Sequence, residues 1–287
     1  MQNPISKKIV QKEGFFPSDG RWLFYRCWYT TPQKGEVLVL HGASEHSGRY
    51  HELGNLFASH GFNFYTFDFT GHGRSEGKRG HIYCFEEYLV DIANFYGFLR
   101  VYRNMKVPFL IGHSMGGLLA TLFAAWGVCP VKGLVLSAPL FGIKLSISHW
   151  ERLVLKFLAF LYPTWYMSSR FEPKYLSHDM EIVEDYLSDP LIQRHVTSRW
   201  VYENLRAMKF LPHIVPHVNL PCLIWHGEED QIADIEMSKV LFQKFPHPDR
   251  EFYVIPNGYH ELFNEIGSNK IIAKTIEWLL AKSQSKK

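Results

Sequence analysis

The 287-residue chain carries 31 Lys and Arg against 28 Asp and Glu, for a net charge of +3 with no dense basic stripe. That balance excludes the electrostatic footprint of a nucleic-acid binder. The length fits one large domain, or one domain with an inserted subdomain, and 46% hydrophobic with 16% aromatic residues are enough for a sizeable core.

The first fourteen residues, MQNPISKKIVQKEG, lack a continuous apolar run and a small-residue cleavage site. No secretory signal is read there, and a cytoplasmic location is expected. Residues 7–30 read as two strands around a PSDG turn, hence a hairpin. The apolar run 37–40 is a buried strand, 49–61 a helix ended by Gly61, and 62–69 another strand. A long helix is predicted over 85–103, a strand over 108–112, a helix over 116–127 and a strand over 132–139. Residues 141–212 break this alternation. They are helix-like but irregular, rich in aromatics, and punctuated by Pro163, Pro173 and Pro190. The pattern then resumes with a strand over 221–227, a helix over 234–245, a strand over 250–255 and a final helix over 270–282. The lysine-bearing end, 281–287, reads as a frayed tail.

Strands alternating with helices predict an α/β architecture: a mostly parallel central sheet with helices on both faces. The interruption predicts an inserted helical cap, 141–212, between core segments 1–140 and 213–287. The most apolar window, 153–161, contains Lys156, soon meets Pro163 and is too short to span a bilayer. Cys27, Cys84, Cys129 and Cys222 are scattered without C-x-x-C spacing. They are read as buried free thiols in a reducing compartment, not as a zinc site or disulfide framework.

Gly112-His113-Ser114-Met115-Gly116 fits G-x-S-x-G. The pentapeptide alone is weak evidence, because a structural Gly/Ser turn has the same composition. Its context is stronger: a strand precedes it and a helix follows, as a nucleophile elbow requires. The turn strains the serine backbone and lifts its hydroxyl above the sheet, and the flanking glycines let strand and helix approach closely.

A serine hydroxyl needs a base to take its proton, and the chain order of such a triad is serine, acid, histidine. Fifteen histidines are available, so position must choose. His260 follows the last predicted strand and is the candidate base. His213, His217 and His247 adjoin prolines and read as solvated. After the strand 221–227 come Glu228, Glu229, Asp230 and Asp234. Asp230 stands at the tip of the turn and is favoured as the acid, with Glu229 its main rival. Asp234 reads as the cap of the next helix. Oxyanion donors are expected from the backbone N–H of Met115 and of Ala43, which follows the strand 37–40. Each is expected to contribute on the order of 10²–10³ in rate. His41, His46 and His72 lack H-x-H or H-E-x-x-H spacing, and no metal site is read from them.

On the segments 41–50, 68–80, 112–117, 188–191, 226–234 and 257–260, the sequence resembles the monoacylglycerol lipase and lysophospholipase family of the α/β-hydrolases. The resemblance implies the α/β-hydrolase fold, a Ser114–Asp230–His260 triad and an oxyanion hole of Ala43 and Met115. It also implies no cofactor, and cleavage of a fatty acyl ester of glycerol or of a lysophospholipid. Within the cap only SDPL (188–191) matches. Esterase, thioesterase, peptidase and acyltransferase chemistry remain open on the same scaffold, as does a non-enzymatic small-molecule receptor. The stretch 149–167 is apolar nearly all round, so it is either buried or partly open to lipid. The second case makes the cap a candidate for peripheral membrane contact. Glu45 and Arg49 read either as contacts to a polar head group at the mouth or as surface charges at a helix start.

Overall fold

The computed structural model describes residues 8–168 and 171–284. The readings made for 1–7 and 285–287 lie outside the described residues. β1 (Lys8–Ser18) and β2 (Arg21–Thr31) form the expected hairpin, in antiparallel register from Lys8↔Thr31 to Ser18↔Arg21. There follow β3 (Gly35–Leu40), α1 (His51–Ser59), β4 (Phe62–Phe67), α2 (Glu86–Arg103), β5 (Phe109–His113), α3 (Met115–Trp126) and β6 (Leu134–Ser137). The chain then leaves the sheet for α4 (His149–Leu161), β7 (Tyr166–Ser168), α5 (Met180–Ser188), β8 (His195–Thr197) and α6 (Ser198–Ile214). It returns through β9 (Cys222–Gly227), α7 (Ile235–Phe242), β10 (Arg250–Ile255) and α8 (Asn269–Gln284).

One eight-stranded sheet runs in the order β1-β2-β4-β3-β5-β6-β9-β10. From β4 to β10 every neighbouring pair is parallel. Helices cover both faces, so the inner strands are buried along their whole length and read as continuous apolar runs, not as alternation. Successive side chains still go to opposite faces. Leu38, Leu110 and Leu136 cluster with Ile92 of α2 and Leu118 of α3. Val39, Ile111 and Trp225 cluster with Phe57 of α1 and Ile276 of α8.

The segment between β6 and β9 adds strands to the irregular, helix-like reading. β7 and β8 pair antiparallel as a two-stranded ribbon, and strands of three residues are too short for alternation to reveal. α4 starts at a capping box in which Ser148 and Glu151 satisfy each other's backbone N–H. This helix buries only Leu155 and Ala159, while Leu153, Phe157 and Phe160 are exposed. Its all-round apolar character therefore reflects an unpartnered outer face, not burial. No helix of the described residues is long and apolar enough to cross a membrane. All four cysteines are free, but only Cys27 and Cys222 are buried; Cys84 and Cys129 are half-exposed.

Candidate active site

β5 delivers Ser114 into a turn at φ 51°, ψ −118°, a region that costs a non-glycine residue roughly 1–3 kcal/mol. The surroundings hold it there. Ser114 N–H donates to the Ser137 carbonyl at 3.0 Å, and the Ser114 carbonyl accepts from Gly117, Leu118 and Leu140 at 2.9, 3.2 and 2.9 Å. Close approach explains the two glycines. A Cβ on Gly112 would stand 2.3 Å from the Gly116 carbonyl oxygen, and one on Gly116 would stand 2.0 Å from that of Leu40. Met115 is the first residue of α3, so its N–H has no acceptor within the helix and lies at the positive end of the helix dipole.

Asp230 lies in the turn after β9. One carboxylate oxygen accepts the N–H groups of Ile232 and Ala233 at 2.8 and 3.0 Å. The other receives His260 Nδ1 at 2.8 Å and lies 3.4 Å from His226 Nε2. Burial opposes ionisation of Asp230, but the charge of His260 and the hydrogen bonds from both imidazoles hold its carboxyl well below the usual range. Burial likewise opposes the imidazolium of His260, and the Asp230 carboxylate outweighs it, so His260 titrates above its ordinary value. With Nδ1 donating to Asp230, Nε2 is the basic nitrogen. The neighbouring His113, with ring centres 4.8 Å apart, moves the other way. Burial, then the charge of His260, lowers it. Glu228 and Glu229 are exposed, and Asp234 caps α7 by accepting Glu236 N–H at 2.9 Å.

Gly42 and Ala43, beyond β3, line the same cavity as Ser114 and His260. Gly42 N–H donates to Glu45 at 2.5 Å. Glu45 also accepts the Tyr50 hydroxyl at 2.8 Å and pairs with Arg49 at 3.1 Å. Neither Glu45 nor Arg49 is a surface charge: their side chains are 5% and 10% exposed. Arg49 in turn grips Glu261 with two bonds, at 2.5 and 2.9 Å. Sequence reasoning missed Glu261. Its one local signal is a carboxylate directly after the candidate base. Also unforeseen are the contacts that tie this rim to 141–212. His46 meets Asp189 of SDPL at 2.8 Å, Gln193 N–H donates to the Ser44 carbonyl at 2.9 Å, and the N–H groups of His260 and Glu261 donate to the carbonyls of Tyr175 and Leu176 at 3.3 and 2.7 Å.

Several other histidines are held by protein partners. His41 bonds Gly42 and Phe69, and His72 bonds Thr70. His213 and His217 are exposed as expected, although His213 ends α6 instead of lying in a loop. His247 is half-buried and accepts Asp249 N–H. Among the described residues no cluster of three His, Cys, Asp or Glu could hold a metal ion.

The cavity measures about 520 Å³, within the range of small-molecule sites. Its lining is chemically mixed. Trp150, Val154 and Leu158 of α4 and Val201, Leu205 and Met208 of α6 contribute apolar wall. Glu45, Arg49, Tyr186, Gln193 and Glu261 contribute polar groups, with Ser114 and His260 also on the wall.

A serine aminopeptidase S33 family model matches residues 31–267. Rat monoglyceride lipase is 31% identical over 268 residues, which cover 91% of this chain and 88% of that protein. The chain spans only 29% of the length of an abhydrolase domain-containing protein of Dictyostelium discoideum, at 29% identity. The crystal structure of Paleococcus ferrophilus monoacylglycerol lipase matches with a TM-score of 0.83 at 30% identity, over 91% of this chain and 99% of that one. Matched along most of its length in sequence and in fold, the chain belongs to the monoacylglycerol lipase and lysophospholipase family of α/β-hydrolases.

Proposed function

We propose that the protein hydrolyses the carboxylic ester of a monoacyl lipid, a monoacylglycerol or a lysophospholipid, and releases the fatty acid. Ser114 attacks the ester carbonyl while His260 Nε2 takes its proton. Asp230 fixes the tautomer and stabilises the imidazolium that forms. The N–H groups of Ala43 and Met115 hold the oxyanion. His260 returns the proton to the departing alcohol, then activates the water that releases the acyl group from Ser114.

The observation that carries this reading is a cavity wall on which Ser114 and His260, the latter bonded from behind by Asp230, stand among many apolar side chains. The apolar part of the lining suits an acyl chain and the polar part suits the alcohol. Residues 141–212 act as a cap on the core segments 1–140 and 213–287. The exposed Leu153, Phe157 and Phe160 of α4 give that cap a surface for peripheral contact with a bilayer, from which monoacyl lipid can enter. Four free cysteines fit a reducing, cytoplasmic setting.

The test is lipid-substrate profiling of the purified protein on monoacylglycerol, lysophosphatidylcholine, thioesters and aminoacyl amides. Monoacyl esters are expected to dominate, and Ser114→Ala to cut turnover by about 10⁶, as for other triads. Preferred cleavage of amides or thioesters would overturn the substrate assignment. Normal turnover by Ser114→Ala would overturn the nucleophile.

A further inference from the structure

Acyl transfer through Ser114, His260 and Asp230 makes no use of one buried charged cluster, formed by Glu45, Arg49 and Glu261. We infer that Arg49 and Glu261 are positioning residues, whose ion pair clamps the loop bearing His260 to the loop bearing the oxyanion donor Ala43. Glu261 directly follows His260, and both its oxygens are bonded by Arg49. Arg49 also bonds Glu45, which accepts the N–H of Gly42, the residue before Ala43. Charged hydrogen bonds therefore run without a break from the oxyanion loop to the histidine loop, across 212 positions of sequence.

The carboxylate oxygens of the cluster are all engaged within the protein. One Glu45 oxygen serves Gly42 and Tyr50, and the other serves Arg49. Asn264 adds a third bond to Glu261, at 2.8 Å. The guanidinium also lies over the Tyr186 ring, 5.1 Å from its centre. A fork of two parallel bonds fixes orientation as well as distance, which is what two catalytic loops from opposite ends of the chain require.

The clamp also sets charge. Two carboxylates and one guanidinium sum to −1. The other groups facing His260 are Asp230, with His226 behind it, and His113, whose charged form burial disfavours. Arg49→Met leaves the cluster at −2 and favours the imidazolium; Glu261→Gln leaves it at 0 and disfavours it. The double variant restores −1.

This inference rests on His260 being the general base. The experiment measures kcat, KM and the pH dependence of kcat/KM on a p-nitrophenyl acyl ester, which has no glycerol or phosphate head group, and on a monoacylglycerol. Each single variant is expected to lose at least about tenfold in kcat on both substrates. The acid limb is expected to move up in Arg49→Met and down in Glu261→Gln, each by at least about half a unit, and to return in the double variant. Should Arg49→Met fail to fold, Arg49→Lys keeps the charge without the fork, so kcat falls and the limb stays. Unchanged kinetics on the p-nitrophenyl ester with a raised KM for monoacylglycerol alone would make the cluster a head-group site and overturn the clamp. Shifts of the same sign in both single variants would overturn it too. Activity that survived His260→Ala would instead sink the base assignment, and the clamp with it.

Discussion

Asp230→Asn tests the acid most directly, because the two carboxylate oxygens do different work. The oxygen that accepts Ile232 and Ala233 N–H is kept in asparagine, so the turn keeps its shape. The amide nitrogen then falls where Asp230 now receives His260 Nδ1 at 2.8 Å. Two donors cannot face each other, so His260 must carry its proton on Nε2, the tautomer that cannot accept one from a serine. The expected loss in kcat is about 10⁴, or roughly 5.4 kcal/mol of barrier at about 1.36 kcal/mol per decade. Stability changes with a definite sign. A carboxyl held below its ordinary value stabilises the fold above the unfolded value, and that gain is lost as pH falls through the folded one. The variant should therefore melt lower at pH 7, and the gap should narrow below about pH 4. Ester hydrolysis with fluorophosphonate active-site titration gives kcat, and thermal melts give stability. Glu229→Gln, at an exposed neighbour, should stay within about 0.5 kcal/mol in both measurements. Activity of Asp230→Asn within tenfold of the parent, or a large loss in Glu229→Gln, would refute the reasoning.

Three further outcomes are expected. Gly116→Ala places a Cβ 2.0 and 2.7 Å from the carbonyl oxygens of Leu40 and His41. Both are backbone atoms that cannot rotate away, so a loss of about 1–3 kcal/mol or more should appear in the melting temperature, and an unchanged melt would contradict the packing. Phe157→Ser with Phe160→Ser, at 57% and 78% exposure, should weaken partition onto phosphatidylcholine vesicles by at least about tenfold while turnover of a soluble ester holds; equal partition would remove the membrane face. The acid limb of kcat/KM should lie above 6.5, because His260 must be neutral to act and its pKa is raised. Rate is then present above that limb and lost as pH falls through it, and a limb below 6.5 would count against the Asp230–His260 pair.

The sheet was legible because its signal is local. Each inner strand is a short apolar run bounded by turn residues, and the strand–turn–helix around Ser114 can be read within eleven residues, 110–120. The choice between Asp230 and Glu229 was not a matter of spacing alone. It turns on which carboxylate the loop folds inward, and the 3.4 Å bond from Asp230 N–H to the Gly227 carbonyl helps to set that. Arg49 and Glu45 looked like mouth charges because their burial depends on Glu261, and no local pattern reports a partner so far along the chain. The β7–β8 ribbon escaped for the opposite reason: three residues hold too little periodicity.

The two backbone bonds from His260 and Glu261 to Tyr175 and Leu176 set a rule for anyone redesigning this enzyme. Replacing the whole stretch between β6 and β9 puts at risk the two carbonyls that brace the backbone at the imidazole. Chimeras that retain 173–176 and exchange only α4 and α6 keep those carbonyls while changing the cavity wall.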